Sequence, residues 1–302
     1  GNGCTLTDDI TVNIIAPPNS NAGPDDAVCS HQYTMQAIPT VGIGTWTATG
    51  PGTVNFTNNH LANTGVTVST DGLYTFVWSE NNNGCTSTDT TLIRFTTMPV
   101  ANAGTDINLC QLNATLGAVA SVGNGTWTQV AGPGIINFND STSATTSVST
   151  TTEGIYTLQW TEDNGYGCVQ SDMVTVTLWN QPNANAGVLD SICSLSYLLQ
   201  AQPSYGIGTW SQISGPGFSQ IANNHNPTTQ ATVSMHGIYQ YQWLEDNHGC
   251  TSSDTVKIIY NYTPTSTFTI QNINCFSDTT LVTFTGMVDS AVVYNWNFGQ
   301  AN

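Results

Sequence analysis

The sequence predicts an all-β protein: Ig-like β-sandwich modules in tandem, arranged as an extended string. Three observations predict it. One block of residues is written three times at a period of about 82 residues, longer than the units of a solenoid. Apolar and polar residues alternate along the chain, and no segment carries the 3.6-residue period of a helix. Clusters of Gly, Pro and Asn interrupt these runs about every 8–12 residues, as turns do between short strands.

Each copy opens on Asn-Ala-Gly at 21–23, 102–104 and 185–187. Gly-Thr-Trp follows, ending on Trp46, Trp127 and Trp210, and then Gly-Pro-Gly at 50–52, 132–134 and 215–217. Next comes Gly-x-Tyr, ending on Tyr74, Tyr156 and Tyr239, with Trp78, Trp160 and Trp243 four residues beyond. The first set of tryptophans is spaced by 81 and 83 residues and the second by 82 and 83. Such a period suits a self-contained small domain with its own core. The expected modules are 18–98, 99–181 and 182–263. Residues 2–8 match 83–89, so 1–17 reads as the closing strand of a preceding module. A new pattern begins near Thr263, so 264–302 reads as the incomplete start of a module of a different type.

Within a module, Tyr74, Phe76 and Trp78 alternate onto one face of a strand, as do Tyr156, Leu158 and Trp160. Residues 90–95 and 173–178 are β-rich runs, while 42–44, 50–52 and 81–84 carry turn signals. A module of this size has room for about seven strands. Tyr74, Tyr156 and Tyr239 each follow a corner glycine, the place of a tyrosine corner in an Ig-like sandwich. Trp46, Trp127 and Trp210 are the expected central core aromatics, with Trp78, Trp160 and Trp243 nearer the hairpin end. A sugar-stacking platform is the competing use of those indoles, but one per module on an alternating strand is what a core requires.

Composition narrows the function. Arg94 and Lys257 are the only basic residues against 19 acidic ones, a net charge of −17. Nucleic acid is excluded as a partner, because phosphate binding needs Lys and Arg in number. Anionic membrane surfaces are disfavoured for the same reason, and no apolar run approaches the ~18–20 residues of a membrane span. Eight Trp, eleven Tyr and nine Phe at regular positions argue for packed cores, where acidity alone would suggest disorder. The scarcity of Lys and Arg also leaves trypsin-like proteases little to cut, which suits an exposed extracellular protein.

The eight cysteines alternate spacings of 25 and of 56 to 58 residues. With no His partners at metal spacing, this favours disulfides and an oxidising compartment. Pairing within modules would join Cys29 to Cys85, Cys110 to Cys168 and Cys193 to Cys250. Pairing across junctions, such as Cys85 to Cys110, would use all eight. The first is preferred, because Cys85 starts a strand that runs away from it, although a sandwich can also place Cys29 and Cys85 at opposite ends. Such a loop would stabilise each module by roughly 4 kcal/mol.

Little in the chain points to chemistry. His31, His60, His225, His236 and His248 sit at non-equivalent positions, and no Ser-His-Asp or Cys-His order repeats. No catalytic site is expected. Carboxylates at Asp25, Asp26, Glu80, Glu162, Asp163, Glu245 and Asp246 lie near loops, where calcium takes oxygen ligands. No D-x-D-x-D-G series appears, so no cofactor is expected and calcium is the one metal left open. Asp89, Asp172 and Asp254, four residues after a Cys, read as Asx-type caps or as guards of an edge strand.

Taken together, A-N-A-G, G-x-G-T-W, G-P-G, G-x-Y-x-x-x-W and N-G-C-x-x-x-D resemble the PKD-like and Ig-like modules of large secreted Bacteroidota proteins. These include gliding-motility adhesins and other cargo of type IX secretion. The A-G-x-D aspartate is met at Asp25 but falls on Leu189 in the third copy, where Asp190 follows. Residues 294–299 look like the Y-x-W-D-F-G signature of a PKD domain, with Asn297 in place of Asp. The resemblance implies a cell-surface stalk of an adhesin or filament, in contact with further modules of its own chain. It also implies O-glycans at D-S/T-apolar sites, candidates being Thr90, Ser141, Ser191, Thr255, Thr279 and Ser290. The other implied role is recognition of surface polysaccharide or a cell-envelope partner, by an adhesin or beside a polysaccharide-degrading domain, through loops 57–66, 139–148 and 219–230.

Overall fold

A computed structural model describes residues 1, 3–271, 281–286, 293 and 295. The described residues contain strands and no helix. They divide into two compact units, Gly1–Leu178 with the first two repeats and Trp179–Asn302 with the third.

The first repeat has seven strands: β1 (Asp26–Val28), β2 (Gln32–Thr34), β3 (Ile43–Thr49), β4 (Val54–Phe56), β5 (Gly65–Val68), β6 (Gly72–Asn82) and β7 (Cys85–Phe95). They form a four-stranded sheet, β1-β7-β6-β3, and a three-stranded sheet, β2-β5-β4. This is the four-on-three division of an Ig-like sandwich. The second repeat follows with β8 (Ile107–Leu109), β9 (Asn113–Thr115), β10 (Asn124–Ala131), β11 (Asn137–Phe138), β12 (Ser147–Ser149), β13 (Gly154–Asp163) and β14 (Val169–Leu178). The third has β15 (Asp190–Ile192), β16 (Ser196–Gln200), β17 (Ile207–Ser214), β18 (Ser219–Ile221), β19 (Thr228–Val233), β20 (Gly237–Asn247) and β21 (Cys250–Tyr260). Both reproduce the sheets of the first. A hairpin of β22 (Phe268–Gln271) and β23 (Leu281–Phe284) comes last. The PKD-like signature at 294–299 lies outside the described residues except for Asn295.

Each repeat buries its own apolar cluster between its sheets. The six repeated tryptophans are at most 2% exposed, so none of them offers a face to sugar. They pair across adjacent strands: Trp46 with Trp78, Trp127 with Trp160 and Trp210 with Trp243, ring centroids 5.1, 5.3 and 5.2 Å apart. Such pairs add roughly 0.5–1.5 kcal/mol beyond the area they bury. The glycine of Gly-Thr-Trp makes room for them. A Cβ on Gly44, Gly125 or Gly208 would lie 1.9, 1.8 or 1.8 Å from Cζ2 of Trp78, Trp160 or Trp243. The glycine of Gly-x-Tyr is required by its backbone, with φ of +147° at Gly72 and +142° at Gly154 and Gly237. The motifs are thus halves of contacts made far apart in sequence.

The tyrosines close the corners. The Tyr74, Tyr156 and Tyr239 hydroxyls donate to the carbonyls of Thr70, Thr152 and Met235 at 3.0, 2.5 and 3.0 Å. The loops 57–66, 139–148 and 219–230 share one skeleton. Trp46, Trp127 and Trp210 donate their amides to Asn59, Ser141 and Asn224 in those loops. His60 and His225 are therefore equivalent after all: each ring Nδ1 lies against a strand threonine, Thr45 at 3.1 Å and Thr209 at 3.2 Å.

One register feature positions everything at the ends of a repeat. β1 runs parallel to the last strand, β7, with Val28 opposite Phe95. β8 and β15 do the same on β14 and β21. β6 and β7 form a hairpin whose turn brings Asn82 opposite Cys85. Each repeat therefore has a hairpin end and an exit end.

Gly125→Ala should destabilise the second repeat by about 3 kcal/mol or more, because the buried Trp160 ring cannot yield. Thermal unfolding followed by tryptophan fluorescence should fall by roughly 12 °C or more; a fall of a few degrees would refute the close-packing account.

Candidate functional site at the junction of the first two repeats

The cysteines mark the two ends. Cys29 directly follows β1 and so stands at the exit end of the first repeat, whereas Cys85 opens β7 at the hairpin end. About ten residues of strand separate those ends, roughly 33 Å. A disulfide needs Cα atoms within about 7 Å. Pairing of Cys29 with Cys85 is therefore ruled out, and the structure instead joins Cys29 to Cys168, Cα–Cα 5.5 Å, across the junction. Cys168 stands at the hairpin end of the second repeat, beside the exit end of the first. Cys110 and Cys250 are also disulfide-bonded. Cys85 and Cys193, expected in bonds, are free, as is Cys4. The junction pairing Cys85 to Cys110 fails likewise, since Cys110 follows β8 at the far end of the second repeat.

A polar clamp surrounds the Cys29–Cys168 bond. The Thr96 amide continues the sheet to the Val28 carbonyl at 3.0 Å, and its hydroxyl lies 3.1 Å from Cys168 Sγ. Thr97 donates its amide and hydroxyl to the two oxygens of Asp71, both at 3.0 Å. The ring of His31 lies 2.6 Å from the same carboxylate. Burial raises the Asp71 pKa, but the bonds from His31 and Thr97 outweigh it and leave the carboxyl below its usual value. From the second repeat, Asn164 Nδ2 donates to the Thr97 carbonyl at 3.1 Å. Arg94 lies over the Tyr166 ring, 4.5 Å from its centroid. One of the two cations in the chain is thus spent on the junction. Pro99 in the linker is also buried, as are its counterparts Pro18 and Pro182.

The hairpin-to-linker bond recurs. Asn82 donates to the Ala16 carbonyl and Asn247 to the Asn180 carbonyl, both at 3.0 Å. Around it the residues change. Trp179 stacks on His248 at 3.8 Å, and His236 on Tyr262 at 4.0 Å, where the first repeat has Asp71 and Thr97.

The carboxylates offered for calcium have protein partners. Asp25 and Asp26 accept the amides of Leu92 and Ala27, each at 2.8 Å. Asp163 and Asp246 accept hairpin amides, each at 2.7 Å. Glu80, Glu162 and Glu245, expected near loops, are 1% exposed. Glu80 takes the Thr40 amide and hydroxyl, while Glu162 and Glu245 take those of Ser121 and Ser204 together with the indoles of Trp160 and Trp243 at 3.0 Å. Burial pushes Glu162 and Glu245 up, yet these donors prevail and hold both below the usual carboxylate range. Asp89, Asp172 and Asp254 are not local caps: they accept the amides of Ala22, Ala103 and Ala186 at 2.8, 2.9 and 2.9 Å. Each thus ties the Asn-Ala-Gly motif to the last strand. Among the described residues no three His, Cys, Asp or Glu side chains gather as a metal site. No described helix is long and apolar enough to cross a membrane. Of the glycan candidates, Thr90, Ser191 and Thr255 are exposed and Ser141 is half-buried. Thr279 and Ser290 lie outside the described residues.

No family model matches the chain, and no curated protein is similar to it. Among solved structures, the titin I-band fragment I67–I69 is 14% identical with a TM-score of 0.40, covering 82% of this chain and 100% of its own. Extracellular domains 3–5 of Drosophila OTK are 8% identical with a TM-score of 0.35, covering 80% and 95%. The insect immune protein hemolin is 11% identical with a TM-score of 0.36, covering 82% and 76%.

Two outcomes follow from these contacts. Cys29→Ser should raise hydrogen exchange at the Thr96 and Thr97 amides about tenfold while β6 and β7 stay protected; unchanged exchange would mean that the disulfide is incidental to the junction. For Glu162 the folded state binds its proton less tightly than the unfolded chain, so the contribution is present above about pH 4.3 and is lost as pH falls through the lowered folded-state value. Urea unfolding of wild type against Glu162→Gln should show a stability gap constant from pH 7 to 5 and shrinking below 4. A gap that widens in acid would reverse the sign.

Proposed function

We propose that the chain is a non-catalytic stalk segment of a large secreted cell-surface adhesin or filament, exported by the type IX route that its motifs resemble, and that it holds a tip or anchor at a distance. Its working units are the modules 18–98, 99–181 and 182–263. The observation that carries this reading is the Cys29–Cys168 bond, because of what it does to tension. A pull on the chain enters at Cys29, crosses the disulfide and leaves at Cys168. The 139-residue separation between them is thereby taken out of the load path. When the disulfide is reduced the load passes instead to the parallel pairing of β1 with β7, where a pull along the chain stretches those hydrogen bonds together in shear. The acidic, lysine-poor surface adds solubility and resistance to trypsin-like proteases.

Single-molecule stretching tests it. With the disulfide intact, unfolding the first two repeats should release about 500 Å less contour than after reduction, at ~3.6 Å per residue. Equal contour lengths, or specific capture of one sugar on a glycan array, would replace the stalk by a recognition module.

A further inference from the structure

We infer that Cys85 and Cys193 are open halves of the same staple, and that each bonds the complementary cysteine of a flanking Ig-like repeat. Cys85 occupies the hairpin position of Cys168 and Cys250, and both of those are disulfide-bonded. Cys193 occupies the strand-end position of Cys29 and Cys110, which are bonded as well. The surroundings are already built. At the exit end of the third repeat the Asn261 amide meets the Ile192 carbonyl at 2.7 Å, as Thr96 meets Val28, and the Thr263 hydroxyl donates to the Cys193 carbonyl at 3.1 Å.

At the hairpin end of the first repeat, the Asn82 bond to Ala16 reproduces that of Asn164 to Thr97. The same offset makes residues 4–14 the sequence counterparts of β7. Ile10, Val12 and Ile14 then correspond to the buried Thr91, Ile93 and Phe95, yet they are 88%, 72% and 89% exposed. The occupant that fits this segment is a preceding repeat whose first strand pairs with residues near 12–14. Its strand-end cysteine would lie beside Cys85. On the other side, the partner of Cys193 is the hairpin cysteine of a following repeat. Cys275 does not have that role: it follows Cys250 by 25 residues, the interval to a strand-end cysteine, and it lies outside the described residues.

Each bond forms as two thiols lose two protons and two electrons to a disulfide-bonded oxidant of the export compartment, through thiol–disulfide exchange. The inference goes beyond the stalk reading, since unlinked modules could also serve as a spacer.

The test is a non-reducing peptide map of the protein as secreted by the cells that make it, alkylated in denaturant before digestion at acidic residues. Cys85 and Cys193 should both be recovered in disulfides with peptides of neighbouring repeats. Recovery of either as a free thiol, or of Cys85 bonded to Cys29 or Cys110, would overturn the inference. A graft identifies the partner: a copy of residues 19–84 placed directly before Cys4 supplies such a repeat. Cys85 alkylation in the native state should slow at least about tenfold, and Cys29→Ser within the copy should restore it. A copy that folds, shown by an added unfolding transition, but leaves Cys85 reactive would refute the pairing. If the copy does not fold, the peptide map decides alone.

Discussion

The parallel pairing of a repeat's first short strand with its last is the constraint on which the rest depends. An antiparallel first strand would end at the hairpin and bring Cys29 towards Cys85. The observed one ends at the exit, so the two cysteines of a repeat face opposite neighbours. A disulfide can then form only between repeats. Its effect differs from that of a bridge within a small domain, which acts on one unfolded ensemble. Here the bond acts on a junction whose two sides are already folded. It holds the docked surfaces together so that weak contacts, such as Arg94 over Tyr166, are made at high effective concentration.

The cores are built so that no element can be omitted. Trp160 needs Gly125 for space, Trp127 for contact and Glu162 for its indole proton. Glu162 needs Ser121, since a buried carboxylate is tolerated only with donors around it. In the first repeat, Trp78 Nε1 is buried without a partner, while Glu80 serves Thr40. That repeat therefore carries a small deficit its siblings avoid.

Much of the fold was legible because period-2 alternation and repeated aromatics report burial directly. Tyr74 and Trp46 could be placed without coordinates. Disulfide partners were not legible, because spacing is one-dimensional and strand direction is not written in it. A three-residue strand such as Asp26–Val28 has too few side chains to reveal whether it runs with or against its neighbour. Glu80 was misread for a related reason. An acid near a hairpin tip looks solvated until a residue forty positions back, Thr40, is seen to supply its donors. Asp89 belongs to the same class, its partner Ala22 being 67 residues away. The Cys-x-x-x-Asp and Asn-Ala-Gly motifs did recur together in every copy, and that joint recurrence was the available signal.

What varies between copies is as informative as what repeats. The buried Trp, Tyr and Gly positions are the same in all three, while the exit-end position of Asp71 is held by His236 in the third repeat and that of Thr97 by Tyr262. At the hairpins, Tyr166 and His248 make different contacts, one beneath a guanidinium and the other against an indole. A core needs only to fold, so identical solutions serve every bead. A junction must also reject the wrong neighbour, and differing polar and aromatic pairs do that through mismatched donors and unfilled faces. The disulfide is blind to identity, since any strand-end cysteine can reach any hairpin cysteine. Only the variable clamp around it distinguishes one junction from another.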